Sequence, residues 1–201
     1  MSAKSENADR SELRRAVCDT AIAMARLGLA TGSSGNVSAR VRPESAGMLI
    51  TASGIPYERI RPEEIIEIDA EGKTITGDGT PSSEWRMHAA IYEGRPDIAA
   101  IVHTHSMYAT AAAIALPELP IPHDEGRIFY GDAIPVSVHH PPGSWELARA
   151  VAEALGDGQL VLIAKHGAVA VAGTLDDALG AAVKIEEIAQ LAYLARRFRG
   201  L

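Results

Sequence analysis

The chain carries a single cysteine, Cys18, among its 201 residues, which excludes a disulfide framework and any multi-cysteine zinc site. Aromatic side chains make up only 4%, leaving few rings on which nucleobases could stack. Cations are in the minority, 19 Lys and Arg against 26 Asp and Glu, for a formal net charge of −7. A nucleic-acid partner asks for the opposite balance, so none is expected. Long apolar runs are missing too: the alanine-rich stretch around 109–116 stops at Leu116-Pro117, and no membrane partner is expected. The first nine residues, MSAKSENAD, lack the apolar run of a signal peptide. They are expected to be a disordered polar lead to one domain over 10–201, located in the cytoplasm.

What the chain does have is aliphatic residues in helical and strand patterns that alternate along its length. Ser11 is an expected N-cap for a helix closed by Gly28, followed by a small-residue loop and a strand at Val37–Val41. Met48–Thr51, Ile65–Ile68 and Lys73–Thr76 read as strands joined by short turns, hence antiparallel. A helix is expected from Glu84 to about Glu93, a strand over Ala99–His105 and a helix over Ala109–Leu116. Strands at Ile134–Val138, Leu160–Ala164 and Val169–Ala172 follow, with a helix at Ser144–Leu155 between the first two. Thr174 caps a long terminal helix with Leu175, Leu179, Val183, Ile188, Leu191, Ala195 and Phe198 on one stripe. The class is α/β, helices covering a sheet that is not purely parallel.

Seven histidines against one cysteine point any metal site toward imidazole and carboxylate. His103 and His105 sit in the apolar run Ala-Ile-Val-His-Thr-His. Residues i and i+2 of a strand share a face about 6.5–7 Å apart, so both imidazoles can converge on one ion. His166, just after another apolar strand, is a candidate third ligand. Three histidines leave an open position of the catalytic zinc type, and the spacing does not exclude iron or manganese. Glu84 is a candidate fourth ligand or general base, although a carboxylate in a first helical turn also offsets the dipole. His88, one turn on, forms a competing pair with it. His123 and the His139-His140 pair fall in expected loops.

Three loops hold small neutral donors: Ser33-Ser-Gly-Asn36, Ser53-Gly54 and Ser82-Ser83. The last precedes a helix, where free N–H groups and the dipole favour an anion. Singly each is an ordinary turn or cap; only convergence would make a phosphate site.

The ordered set Gly-Ser-Ser-Gly-Asn-Val-Ser (32–38), Leu-Ile-Thr-Ala-Ser-Gly-Ile-Pro-Tyr (49–57), Pro-Ser-Ser-Glu-Trp-Arg-Met-His (81–88), His-Thr-His-Ser (103–106) and Lys-His-Gly (165–167) resembles the class II, zinc-dependent aldolase/adducin family. The resemblance implies a three-layer α/β/α sandwich around a central mainly antiparallel sheet, assembled as a homotetramer with active sites at subunit interfaces. It implies a Zn2+ site (Mn2+, Fe2+ or Co2+ being alternatives) on Glu84, His103, His105 and His166, with Glu84 also the acid/base. It places a phosphate pocket on Ser33, Gly35, Asn36, Ser53, Gly54, Ser82 and Ser83. The implied activity is reversible aldol cleavage of a phosphorylated sugar, a ketose 1-phosphate resembling L-fuculose 1-phosphate, to dihydroxyacetone phosphate and an aldehyde. A metal-dependent decarboxylase and a non-catalytic module like the adducin head are the alternatives. The family's second acid, a tyrosine from a neighbouring subunit, falls on Asp124 here, so Asp124 or Tyr130 is the candidate acid.

Overall fold

The computed structural model describes residues 3–42, 47–198 and 200. Nine strands form one sheet in the order β4-β3-β2-β1-β5-β9-β8-β7-β6. They are β1 (Asn36–Arg40), β2 (Met48–Thr51), β3 (Ile65–Ile68), β4 (Thr74–Thr76), β5 (Ala100–Thr104), β6 (Glu118–Pro120), β7 (Ala133–Ser137), β8 (Leu160–Ile163) and β9 (Gly167–Ala172). Every pairing is antiparallel except β7 with β8. The helices are α1 (Ala3–Arg26), α2 (Trp85–Gly94), α3 (Met107–Ala115), α4 (Asp124–Tyr130), α5 (Trp145–Leu155) and α6 (Leu175–Phe198).

Strand alternation sends successive side chains to opposite faces, and the two faces carry separate cores. Val37, Ala39, Val102, Ala168 and Ala170 pack with Val17 and Met24 of α1, Ala109 of α3 and Ile185 of α6. Met48, Ile50, Ile101, Val161 and Val169 pack with Met87 and Ile91 of α2 and with Leu147 and Val151 of α5. This is the expected three-layer sandwich on a mainly antiparallel sheet.

Several expectations are corrected. Helix α1 begins at Ala3 rather than at the Ser11 cap, so the helix extends into the polar lead, where Lys4, Glu6 and Ala8 are good helix formers. Residues 1 and 2 of that lead lie outside the described residues. The segment around His123, read as loop, holds β6 and α4, and His123 is the residue preceding α4. The stripe expected for α6 is displaced: its buried residues are Ala178, Ala181, Ala182, Ile185, Ile188 and Ala189, while Leu191 and Phe198 are exposed. Small residues let the helix approach the sheet closely, and the larger side chains are left at the margin. Among the described residues no helix is long and apolar enough to cross a membrane.

Two backbone features set the geometry of the β8–β9 turn. Lys165 adopts φ 62°, a left-handed conformation uncommon for a non-glycine residue. A Cβ on Gly167 would lie 2.1 Å from the Thr104 carbonyl oxygen, so only glycine lets β9 start against β5. Gly167→Ala should destabilise the protein by about 1–3 kcal/mol through forced backbone displacement. A urea unfolding midpoint equal to wild type would refute that account.

Candidate metal centre

His103 lies on β5, His105 just past its end, His166 in the β8–β9 turn and Glu84 immediately before α2. Adjacent pairing of β1, β5 and β9 brings these segments together: Asn36 opposes His103, and His103 opposes Val169. Gly35 makes this possible on the β1 side, since a Cβ there would lie 2.4 Å from the His103 carbonyl oxygen. The Glu84 Oε2 sits 3.1 Å from His103 Nε2, and Oε1 sits 3.3 Å from His166 Nε2. The Nε2 atoms of His103 and His105 are 3.0 Å apart. One ligating atom from each of the four residues can be chosen so that all lie within 4.8 Å of one another.

This donor set fits a small divalent cation. Ligands about 2.0–2.1 Å from a tetrahedral centre stand about 3.3 Å apart, close to the 3.0, 3.1 and 3.3 Å found here. The His103 Nδ1–H donates to the Ala168 carbonyl at 2.9 Å, which turns the Nε2 lone pair inward, the usual arrangement of a ligating histidine. Burial would raise the Glu84 carboxyl, but the facing His103, by charge and hydrogen bond, and His166 and His105 by charge outweigh it. They hold it well below the usual carboxylate range. Burial, then the charges of His103 and His166, push His105 down to about 4; burial and His103 lower His166 as well. Two imidazoles are thus neutral near pH 7 with lone pairs available, as metal binding requires. Burial lowers His103, but the charge and hydrogen bond of Glu84, together with the hydrogen bond to the Ala168 carbonyl, outweigh it and raise the imidazole.

The three donor loops meet beside Glu84. Tyr57 N–H donates to Gly32 O at 3.0 Å and its hydroxyl to Gly35 O at 2.6 Å. Ser53 N–H donates to Thr80 O at 2.8 Å and Ser82 N–H to Thr51 O at 3.0 Å, across a bridge between Ala52 and Pro81. Of the expected phosphate residues, Ser33, Ser53, Gly54 and Ser83 are exposed, whereas Gly35, Asn36 and Ser82 are buried. The Ser82 hydroxyl accepts from Glu84 N–H at 3.3 Å. The Asn36 amide donates to Glu84 Oε2 at 3.2 Å.

His88 does not join the ligand group and does not pair with Glu84 as a second site. Its ring is fully buried, hydrogen-bonded to Ser38 and Asn36, and pushed down to about 3, chiefly by burial. Between about pH 6.5 and pH 3 the unfolded chain takes up a proton here that the folded chain refuses. Stability tied to His88 is therefore complete above about pH 6.5 and falls as pH drops, by at most about 1.4 kcal/mol per pH unit. Urea titrations of wild type and His88→Gln should diverge in that window; parallel pH curves would refute it.

Asp124 opens α4 and is exposed. Tyr130 ends α4 and lines a cleft with Gln159, Gly173 and Lys184, at the Ala172 end of β9. The histidines gather at the Gly167 end, roughly 17 Å from the Tyr130 cleft at the usual rise per residue, and Asp124 is not a member of the donor group formed among the described residues. His139 is exposed, and its charge lowers His166. Sequence reasoning missed Ser38 and Tyr92 as partners of His88; the i, i+2 spacing of Asn36 and Ser38 was the available signal.

Comparison with known proteins bears on the family and the fold. The model of the class II aldolase and adducin N-terminal domain matches residues 15–193. The L-fuculose phosphate aldolase of Escherichia coli O6:H1 is 41% identical over 183 residues, spanning 91% of this chain and 83% of that one. The 5-methylthioribulose-1-phosphate/5-deoxyribulose-1-phosphate aldolase of Escherichia coli O45:K1 is 38% identical over 183 residues, 91% of this chain and 84% of its own. A solved L-fuculose 1-phosphate aldolase superposes with a TM-score of 0.87 at 33% identity, covering 93% of this chain and 87% of that one. With sequence, sheet and donor cluster in accord, the chain belongs to the class II aldolase and adducin N-terminal domain family.

Proposed function

We propose that this lyase cleaves a ketose 1-phosphate reversibly to dihydroxyacetone phosphate and an aldehyde, with Zn2+ as its metal. The observation that carries the reading is a single buried carboxylate, Glu84, shared between a three-histidine donor set and three converging loops of neutral donors. Glu84, His103, His105 and His166 would hold the ion. When bound, it would draw electron density from the substrate carbonyl and ease formation of negative charge on the adjoining carbon.

The remaining work falls to the chain itself. The exposed Ser33, Ser53, Gly54 and Ser83 lie where hydroxyls and backbone N–H groups can hold a phosphate at the start of α2 without a cationic side chain. Gly35, Asn36 and Ser82 support this loop cluster from beneath. Fixing the phosphate end orients the bond to be broken. Glu84 then moves a proton at the carbon that becomes the nucleophile. A second acid, Asp124 or Tyr130, would come from a neighbouring copy in a homotetramer, since Asp124 is outside its own chain's donor group and Tyr130 lies at the other end of β9.

The test is an assay of dihydroxyacetone phosphate release over a panel of ketose 1-phosphates, L-fuculose 1-phosphate and 5-deoxyribulose 1-phosphate among them, with and without chelator. Release that chelator abolishes and zinc restores is the expected result. Turnover that yields CO2, or a purified protein that takes up no metal, would overturn the reading.

A further inference from the structure

Glu84, His88 and Tyr92 follow one another at intervals of four, on one stripe of the α2 region. Asn36 and Ser38 alternate on β1 and meet that stripe. The contacts run without a break: Tyr92 hydroxyl to Ser38 Oγ at 2.9 Å, Ser38 Oγ to His88 Nδ1 at 2.6 Å, His88 Nε2 to Asn36 Oδ1 at 2.5 Å, Asn36 Nδ2 to Glu84 Oε2 at 3.2 Å. All five side chains are buried. We propose that His88 is a positioning residue for Glu84, acting through Asn36 in a hydrogen-bonded chain whose protons the Glu84 charge fixes.

The assignment follows from donor and acceptor chemistry. An ionised carboxylate only accepts, so the Asn36 atom facing Oε2 is the amide nitrogen. That turns the Asn36 carbonyl oxygen toward His88, so Nε2 must carry the ring proton. A neutral ring then has its lone pair on Nδ1, which the Ser38 hydroxyl fills as donor. The Ser38 oxygen is left to accept from Tyr92. Each bond points toward the carboxylate; the one alternative acceptor along the chain is the Ala99 carbonyl, at a longer 3.5 Å from the Tyr92 hydroxyl.

The consequence is an asymmetry between the two Glu84 oxygens. Oε2 receives the Asn36 amide, whereas Oε1 has no hydrogen-bond donor among the described residues and faces the His166 nitrogen. An oriented carboxylate presents Oε1 inward in one rotamer, where an untethered one would swing. Partners of this kind, outside the ligand set, typically change metal affinity or activity about 10–100-fold.

This inference rests on the metal-centre part of the proposed function, and its experiment reads that centre without substrate. Co2+ is loaded as a visible-spectrum probe into wild type, Glu84→Gln, His88→Leu, His88→Gln and Ser38→Ala. The His88→Leu spectrum is expected to move toward that of Glu84→Gln, with kcat lowered about 10-fold or more and KM within about 2-fold. His88→Gln, whose amide nitrogen can stand in for Nε2–H, is expected to keep the wild-type spectrum and most of the turnover. Ser38→Ala, a milder change, should show a smaller shift in the same direction and decides the matter if His88→Leu does not fold. A folded variant lacking the donor with a wild-type spectrum overturns the proposal. So do equal spectral changes in His88→Leu and His88→Gln, which would mean packing alone. A failed aldol assay with the expected spectra overturns only the substrate reading.

Discussion

Glu84→Gln is expected to retain metal near one equivalent per chain while lowering kcat by about 10²–10⁴, the range of a removed general acid/base. The amide is close to the carboxylate in volume, so the buried site is not opened. Three histidines remain, and three protein ligands suffice for a catalytic ion. The Asn36 amide still finds an oxygen to donate to, because the Gln carbonyl can occupy the Oε2 position, 3.2 Å away. What disappears is the group able to take a proton. Exchange of the dihydroxyacetone phosphate C3 proton with deuterated water, followed by NMR, separates this loss from a loss of binding: exchange should fall as far as cleavage does. Full exchange in a metal-loaded variant would refute the role given to Glu84.

His103→Ala should act on the metal rather than on the proton. Structural zinc sites bind with about 10–16 kcal/mol over four ligands, about 3–4 kcal/mol each, so removing one should weaken affinity by about 10²–10³-fold. His103 contributes more than its own bond. It is fully buried, and its Nδ1–H satisfies the Ala168 carbonyl while its Nε2 faces Glu84. Truncation takes one partner from the Ala168 carbonyl and one from Glu84, which keeps the Asn36 amide, at a further cost of about 1–3 kcal/mol. Elemental analysis after dialysis should show little metal and assays little turnover. Wild-type zinc content in a folded variant would remove His103 from the ligand set. His105, half-buried at the rim, should give a smaller structural penalty with a comparable loss of metal.

The elements that alternation or strong helical spacing specify were legible in the sequence. Met48–Thr51 and Ile65–Ile68 are strands at the bounds their aliphatic runs suggested, and Ser144 caps α5 by accepting from Leu147 N–H. Helix α4 was not legible: it lies between Pro122 and Gly131, and its Ile128 and Phe129 face outward. With the apolar residues outside, no buried stripe announces a helix. The His-x-His pair could be read from strand geometry because its two members are neighbours in the chain. Glu84 and His166 could be named as candidates from a helix start and a strand end, but their membership of one group rested on the family resemblance, since nothing in one dimension tells how far apart they fold. Asn36 and Ser38 share the same i, i+2 spacing, but that spacing does not name His88 as their partner, and the loop cluster depended on the Ala52–Pro81 bridge for its convergence.

The sheet order also bears on time. Donors from before α2, from the end of β5 and from the β8–β9 turn meet only once β1, β5 and β9 have paired out of sequence order. Such non-local pairing is the slow part of building a protein, because chain entropy is lost before contacts reward it. The ion's full affinity exists only after that step, so its binding free energy enters on the native side of the rate-limiting barrier. Interactions formed late slow unfolding and leave the folding rate almost unchanged. A bound ion lengthens the lifetime of the folded chain far more than it hastens its arrival.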